Sequence, residues 1–116
     1  MDIREFFRQT EGSYEEAMGR FGSEALALRF IKKFPGDPSF EELKTAWKGG
    51  QLDKAFEAAH ALKGVCANLA FSKLWEAASR ITEILRPGEC KPEETGRVFR
   101  EVEEDYIKVI HAIEHL

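Results

Sequence analysis

His60, Lys63 and Gly64 are the residues of this chain whose types and spacing could do chemistry together. They lie in a stretch, 51–69, that reads as one helix. At about 100° per residue, Ala55, Ala58, Ala59, Leu62, Val65, Cys66 and Leu69 gather in a single apolar arc, and His60 stands opposite its centre. The spacing therefore predicts an exposed imidazole. Lys63 and Gly64, three and four residues further on, share its face, and Ala67 continues that face one turn later. An imidazole in water titrates close to neutrality, so at pH 7 a ring nitrogen is available as a nucleophile and can accept a phosphoryl group. The Lys63 ammonium, one turn away, can neutralise phosphoryl oxygens as a mobile point charge. Gly64 leaves bare surface where a side chain would crowd an incoming group, although glycine inside a helix costs about 1 kcal/mol relative to alanine. The structural reading of the same residues is an incidental surface histidine, a chance H-x-x-K and a glycine that lets helices pack closely.

Phe56 lies at the margin of the His60 face, Glu57 is on it, and Ala67 and Phe71 extend it with small and apolar surface. These four are candidates for partner docking. The competing reading packs Phe56 and Phe71 against neighbouring helices and leaves Glu57 as a solvated carboxylate. His111 and His115 have the i, i+4 spacing of a helical metal pair, but no third ligand accompanies them and Glu114 is not placed as in H-E-x-x-H, so no metal site is expected. Cys66 belongs to the apolar arc and reads as a small core residue, while Trp47 and Trp75 read as core or bundle-edge residues.

The elements that must position this face are all helical, since no run of alternating β-branched residues is long enough for a sheet. Residues 2–9 form a short helix, and Ser13 with Glu16 caps a second that runs to about Arg20. Bundle helices are expected at about 23–34, 38–48, 51–69, 71–86 and 92–115, separated by Gly and Pro punctuation. In the first of these Ala25, Leu26, Leu28, Phe30, Ile31 and Phe34 form the apolar stripe. The second starts either at Ser39, in a capping box with Glu42, or at Asp37 followed by Pro38. In the last, Val98, Val102, Tyr106, Val109, Ile113 and Leu116 recur every three or four residues. The expectation is an all-α, antiparallel four-helix bundle with one or two short N-terminal capping helices, forming a single domain over 1–116.

The sequence has 116 residues and a formal charge of −4, which provides no broad positive field for a nucleic-acid backbone. No apolar run approaches the roughly 20 residues that span a bilayer, and the N-terminus lacks a signal-peptide run, so a cytoplasmic chain is expected. Cys66 and Cys90 make neither C-x-x-C nor a metal-ligand spacing, and two reduced thiols fit that compartment.

Ala59-His60-Ala61-Leu62-Lys63-Gly64, followed by Asn68-Leu69-Ala70-Phe71 and Leu74, resembles the histidine-containing phosphotransfer (HPt) family, whose pattern is approximately A-H-x-L-K-G, then a small residue near N-L-G, then a hydrophobic Leu. The resemblance covers about residues 52–86, and the order of helices extends it along the chain. One departure is Ala70, where many members carry Gly. The resemblance implies a free-standing phosphorelay intermediate. His60 would take a phosphoryl group from a receiver-domain aspartyl phosphate and pass it to another receiver Asp, with Lys63 assisting. It implies response-regulator receiver domains as partners, with a hybrid sensor kinase as a further one, and no cofactor of its own, because Mg²⁺ belongs to the receiver. Such a domain is a phosphocarrier without independent catalytic activity. No P-loop, Gly-rich nucleotide loop or kinase signature points to an ATP-dependent kinase. The alternative is a helical adaptor that binds a receiver, or another signalling protein, without accepting phosphate. A monomer is the default.

Overall fold

Local capping chemistry sets most of the helix boundaries. In the computed structural model, which describes residues 1–88 and 91–116, seven α-helices and one 3-10 turn account for the ordered backbone, with no strand among the described residues. They are α1 (Ile3–Thr10), α2 (Tyr14–Phe21), α3 (Glu24–Lys33), a 3-10 turn at Phe34–Gly36, α4 (Ser39–Lys48), α5 (Leu52–Leu69), α6 (Ser72–Ile84) and α7 (Pro92–Glu114). Cys90, read as a reduced thiol, lies outside the described residues. Asp2, Ser13 and Ser23 each accept an N–H three residues ahead, from Glu5, Glu16 and Leu26, satisfying orphan amides at the starts of α1, α2 and α3.

One open choice is settled and two expectations need correction. The α4 capping box does not form: Asp37 accepts the Ser39 N–H at 2.9 Å, and Pro38 stands at the cap in helical conformation, so the Asp37–Pro38 start is the one realised. The apolar stripe of α3 is rotated, with Ala27, Ile31 and Phe34 buried, whereas Ala25 and Phe30 are exposed. Phe30 instead stacks on Phe21 outside the core, with ring centroids 5.1 Å apart. Finally, α6 begins after Phe71 and ends at Ile84, two residues short of the expected Arg86.

The helix α5 packs on α4 and α6, and α6 packs on α7. The circuit closes where α7 meets α4: Phe40 stacks on Tyr106 at 4.0 Å between centroids and lies parallel to Phe99, while Lys44 pairs with Glu103 at 3.1 Å. Phe34 packs on the same Tyr106 at 5.6 Å, and Phe6, Phe7, Phe34 and Phe71 form a contiguous buried aromatic cluster that ties α1 and the 3-10 turn to the α5–α6 connection. Edge-to-face and tilted pairs of this kind contribute about 0.5–1.5 kcal/mol each beyond their buried area.

That connection is tight. Ala70 takes a left-handed conformation at φ 60°, the Ala70 N–H donates to Ala67 O, and the Phe71 N–H donates to Cys66 O, which is a Schellman termination of α5. Alanine in this conformation costs on the order of 1 kcal/mol that glycine would not incur. The Ala70 carbonyl accepts the Ser13 N–H at 3.0 Å, and a Cβ on Gly12 would sit 2.7 Å from that same carbonyl oxygen. Only glycine therefore lets the α1–α2 connection approach the α5–α6 turn so closely.

Candidate functional site

The burial of α5 follows its wheel. Ala55, Ala58, Ala59, Leu62, Cys66 and Leu69 are buried and Val65 is half-buried, so the opposite face is left to solvent. His60 is exposed on that face, and neither ring nitrogen has a hydrogen-bond partner among the described residues. Its ring lies parallel to Phe56, one turn earlier, with 6.4 Å between centroids and 6° between planes. Helical side chains lean toward the N-terminus, so the imidazole is backed by Phe56 on that side.

On the other side stands Gly64. A Cβ built there meets no atom of another element within 4 Å. Close helix packing does not explain this glycine, since nothing packs on it. What its missing side chain leaves open is the approach to His60, because a residue at position 64 would lean back over the turn that carries His60. Glu57 and Ala67 are exposed along the same face, as their spacing predicts, and Phe56 is half-buried.

Phe71 is a correction. Only 1% of it is exposed, and its ring is held among Phe6, Phe7 and Phe34, so it supports the turn from inside and offers nothing to a partner. Its aromatic neighbours come from residues 6 to 34, which its own helix pattern does not reveal.

Lys63 is half-buried, not freely exposed. Its Nζ lies 5.8 Å from the centroid of the Trp75 ring on α6, and it makes no hydrogen bond or ion pair among the described residues. Trp75 is 38% exposed despite its size, and Leu52, one turn before Phe56, is 39% exposed. Trp75 lies beside Lys63 and Leu52 extends the surface of α5 one turn before Phe56, and sequence spacing alone did not single them out. The neighbouring acid on α6, Glu83, is engaged by Arg86 in a two-point pair of 2.8 and 3.0 Å. Those hydrogen bonds hold its carboxyl below the ordinary range, and the Lys63 charge acts in the same direction.

Both flanks of the face carry acidic side chains. Between α4 and α5 runs an open groove of about 580 Å³, where Glu41, Glu42 and Glu57 outnumber Lys54. Toward the end of α5 a smaller cleft of about 380 Å³ is lined by Ala67, Ala70, Trp75 and Glu76, with Glu16 reaching in from α2. From α2 Arg20 also donates to Ala67 O at 2.7 Å and Asn68 O at 2.9 Å. This places a cation on the last carbonyls of α5, where the helix dipole favours it. Nothing in the local pattern of α2 points to that contact.

The other constellations stay apart from the face. Burial pushes the Cys66 thiol up, so it remains protonated in the core. His111 on α7 and His115 at its C-terminal cap are exposed, and among the described residues no group of three or more His, Cys, Asp or Glu is placed to hold a metal ion. No described helix is long and apolar enough to cross a membrane.

With this geometry in hand, comparison with known families is decisive at the level of class. A family model described as the Hpt domain matches residues 36–112, well over half of the 116-residue chain. The chain belongs to the Hpt domain family. Such domains serve histidine phosphotransfer in two-component phosphorelays and interact with the receiver domains of response regulators. The match takes in α4 to α7 and therefore His60, Lys63 and Gly64, while α1 to α3 precede it. Neither the comparison with curated proteins nor that with solved structures found a match.

Proposed function

We propose that His60 is the phosphoacceptor of a phosphorelay intermediate, carried by an antiparallel four-helix bundle of α4 to α7 with α1 and α2 as short capping helices. A single domain over 1–116, cytoplasmic and monomeric, is part of the same reading. One observation carries it above the others: an exposed imidazole without hydrogen-bond partners among the described residues, beside a glycine whose Cβ position is open space.

A nitrogen lone pair of His60 attacks the phosphorus of a receiver's aspartyl phosphate. The N–P bond forms as the acyl phosphate P–O bond breaks, and the receiver's carboxylate leaves. The positive charge that develops on the ring is relieved by proton loss to water. In the second transfer the ring takes a proton back from water, a carboxylate oxygen of another receiver attacks the same phosphorus, and the N–P bond breaks to release neutral His60. Lys63 neutralises phosphoryl oxygens in both directions. Gly64 keeps the approach clear, and Phe56 backs the imidazole.

Phe56, Glu57 and Ala67, together with Leu52, form the surface on which the receiver docks. A hybrid sensor kinase is a further donor. The domain holds no cofactor, and Mg²⁺ enters with the receiver's own acidic site. The protein is a phosphocarrier and does not draw on ATP.

A receiver labelled on its aspartate, mixed with this chain, tests the proposal. The expected result is stoichiometric movement of label onto the chain, followed by its loss to a second receiver. Binding of the receiver with no movement of label would leave the helical adaptor as the correct account.

A further inference from the structure

Lys63 is an ammonium beside the reactive ring that has neither a hydrogen bond nor an ion pair among the described residues. Two features of α6 account for this. The acid on this stretch of α6 that feels its charge, Glu83, is already gripped at two points by Arg86. The group that Lys63 does approach is the face of Trp75, 5.8 Å from Nζ. A cation over an indole is held without being neutralised, because the ring supplies quadrupole attraction and no formal charge. It also narrows the conformations of a flexible four-carbon stem before the phosphoryl group arrives.

We propose that Trp75 is a positioning residue for phosphotransfer: its ring holds the stem and ammonium of Lys63 on the α6 side of His60, so that the charge stays available to the phosphoryl group. This rests on His60 being the phosphoacceptor. Trp75 does not touch the reacting atoms and acts through Lys63 alone. Its 38% exposure makes substitution tolerable for the fold, which a core tryptophan would not allow.

The test uses the full chain and the variants Trp75→Leu, Trp75→Phe, Lys63→Ala and the Leu/Ala double variant. Contact is read without any transfer chemistry, from the Lys63 side-chain methylene resonances. They are expected upfield of ordinary lysine values through the ring current, moving back in Trp75→Leu and much less in Trp75→Phe. Unchanged Lys63 resonances in Trp75→Leu would overturn the proposal.

Function is read from single-turnover transfer out of a phosphorylated receiver. Loss of one exposed cation–π contact is expected to slow transfer about two- to fivefold in Trp75→Leu, with Trp75→Phe in between. In the Lys63→Ala background the Leu substitution is expected to change nothing further. An equal slowing in both backgrounds would show that Trp75 serves docking independently of Lys63, which overturns the proposal while leaving His60 in place. Label that persists on a His60→Gln variant would instead defeat the underlying phosphoacceptor reading.

Discussion

Gly64 separates function from packing because the two requirements pull its substitutions in opposite directions. Position 64 lies inside α5, where alanine exceeds glycine in helix propensity by about 0.8–1.0 kcal/mol. No atom of another element lies within 4 Å of a Cβ built there, so no packing penalty offsets that gain. Gly64→Ala is therefore expected to stabilise the domain by about 1 kcal/mol, which for a chain of this size raises Tm by about 3–6 °C. Gly64→Gln adds a long side chain that leans over the His60 turn; it should still stabilise, by about 0.5 kcal/mol. Transfer from a phosphorylated receiver should fall at least about tenfold in Gly64→Gln, equivalent to about 1.4 kcal/mol at the transition state, and less in Gly64→Ala. Thermal melts and single-turnover transfer on the same preparations give both quantities. A lower Tm in either variant would refute the open-space argument. Undiminished transfer in Gly64→Gln would refute the claim that the phosphoryl group arrives over this position.

Other consequences are structural. Gly12→Ala places a methyl 2.7 Å from both Ala70 O and Phe7 Cδ1, and the Ser13 N–H holds that carbonyl in place, so a loss of about 1–3 kcal/mol is expected in the urea midpoint. Arg20→Ala removes two charge-assisted bonds from exposed carbonyls at the end of α5; about 1 kcal/mol should be lost, with faster hydrogen exchange at the Ala70 and Phe71 amides. Asp105 and Glu11 share Lys73 yet have opposite signs. Burial raises the Asp105 carboxyl against the Lys73 charge, so folding favours its neutral form. That contribution is greatest below its ordinary 3.8 and is lost as pH rises through the folded value. Asp105→Asn should thus be neutral or stabilising at pH 7, by about 0.5 kcal/mol or less. Hydrogen bonding to Lys73 lowers Glu11, whose contribution is present above its ordinary 4.5 and lost as pH falls through the folded value. Glu11→Gln should remove that acid-side loss in melts recorded across pH.

The helix that carries the site was legible because Ala55, Ala58, Ala59, Leu62, Cys66 and Leu69 gather on one side of α5 with His60 opposite them. The same procedure misplaced the stripe of α3, where Ala25, Leu26, Leu28 and Phe30 put apolar side chains around most of the helix. There the choice of inward face was made by the neighbours of Ala27 and Ile31, not by periodicity. Phe71 was misread for a related reason, since three rings from α1 and the 3-10 turn decide its burial. Trp75 read only as a core or bundle-edge residue, and spacing could not say that it faces Lys63, because the relative rotation of two packed helices is a tertiary quantity. Ser39 and Asp37 offered competing starts to α4, and the geometry imposed by Pro38 settled them in favour of Asp37.

The central claim is that one exposed nitrogen heterocycle bonds covalently to phosphorus. Treating the folded chain with phosphoramidate, a small N–P donor, and recording phosphorus NMR tests that without any partner protein. The account predicts a phosphohistidine resonance, stable in base and lost in acid, that is absent from His60→Gln while the amide spectrum of that variant keeps the native dispersion and any weaker signal from the exposed His111 or His115 persists in both proteins. A phosphohistidine signal of equal intensity in His60→Gln, arising from His111 or His115, would contradict it.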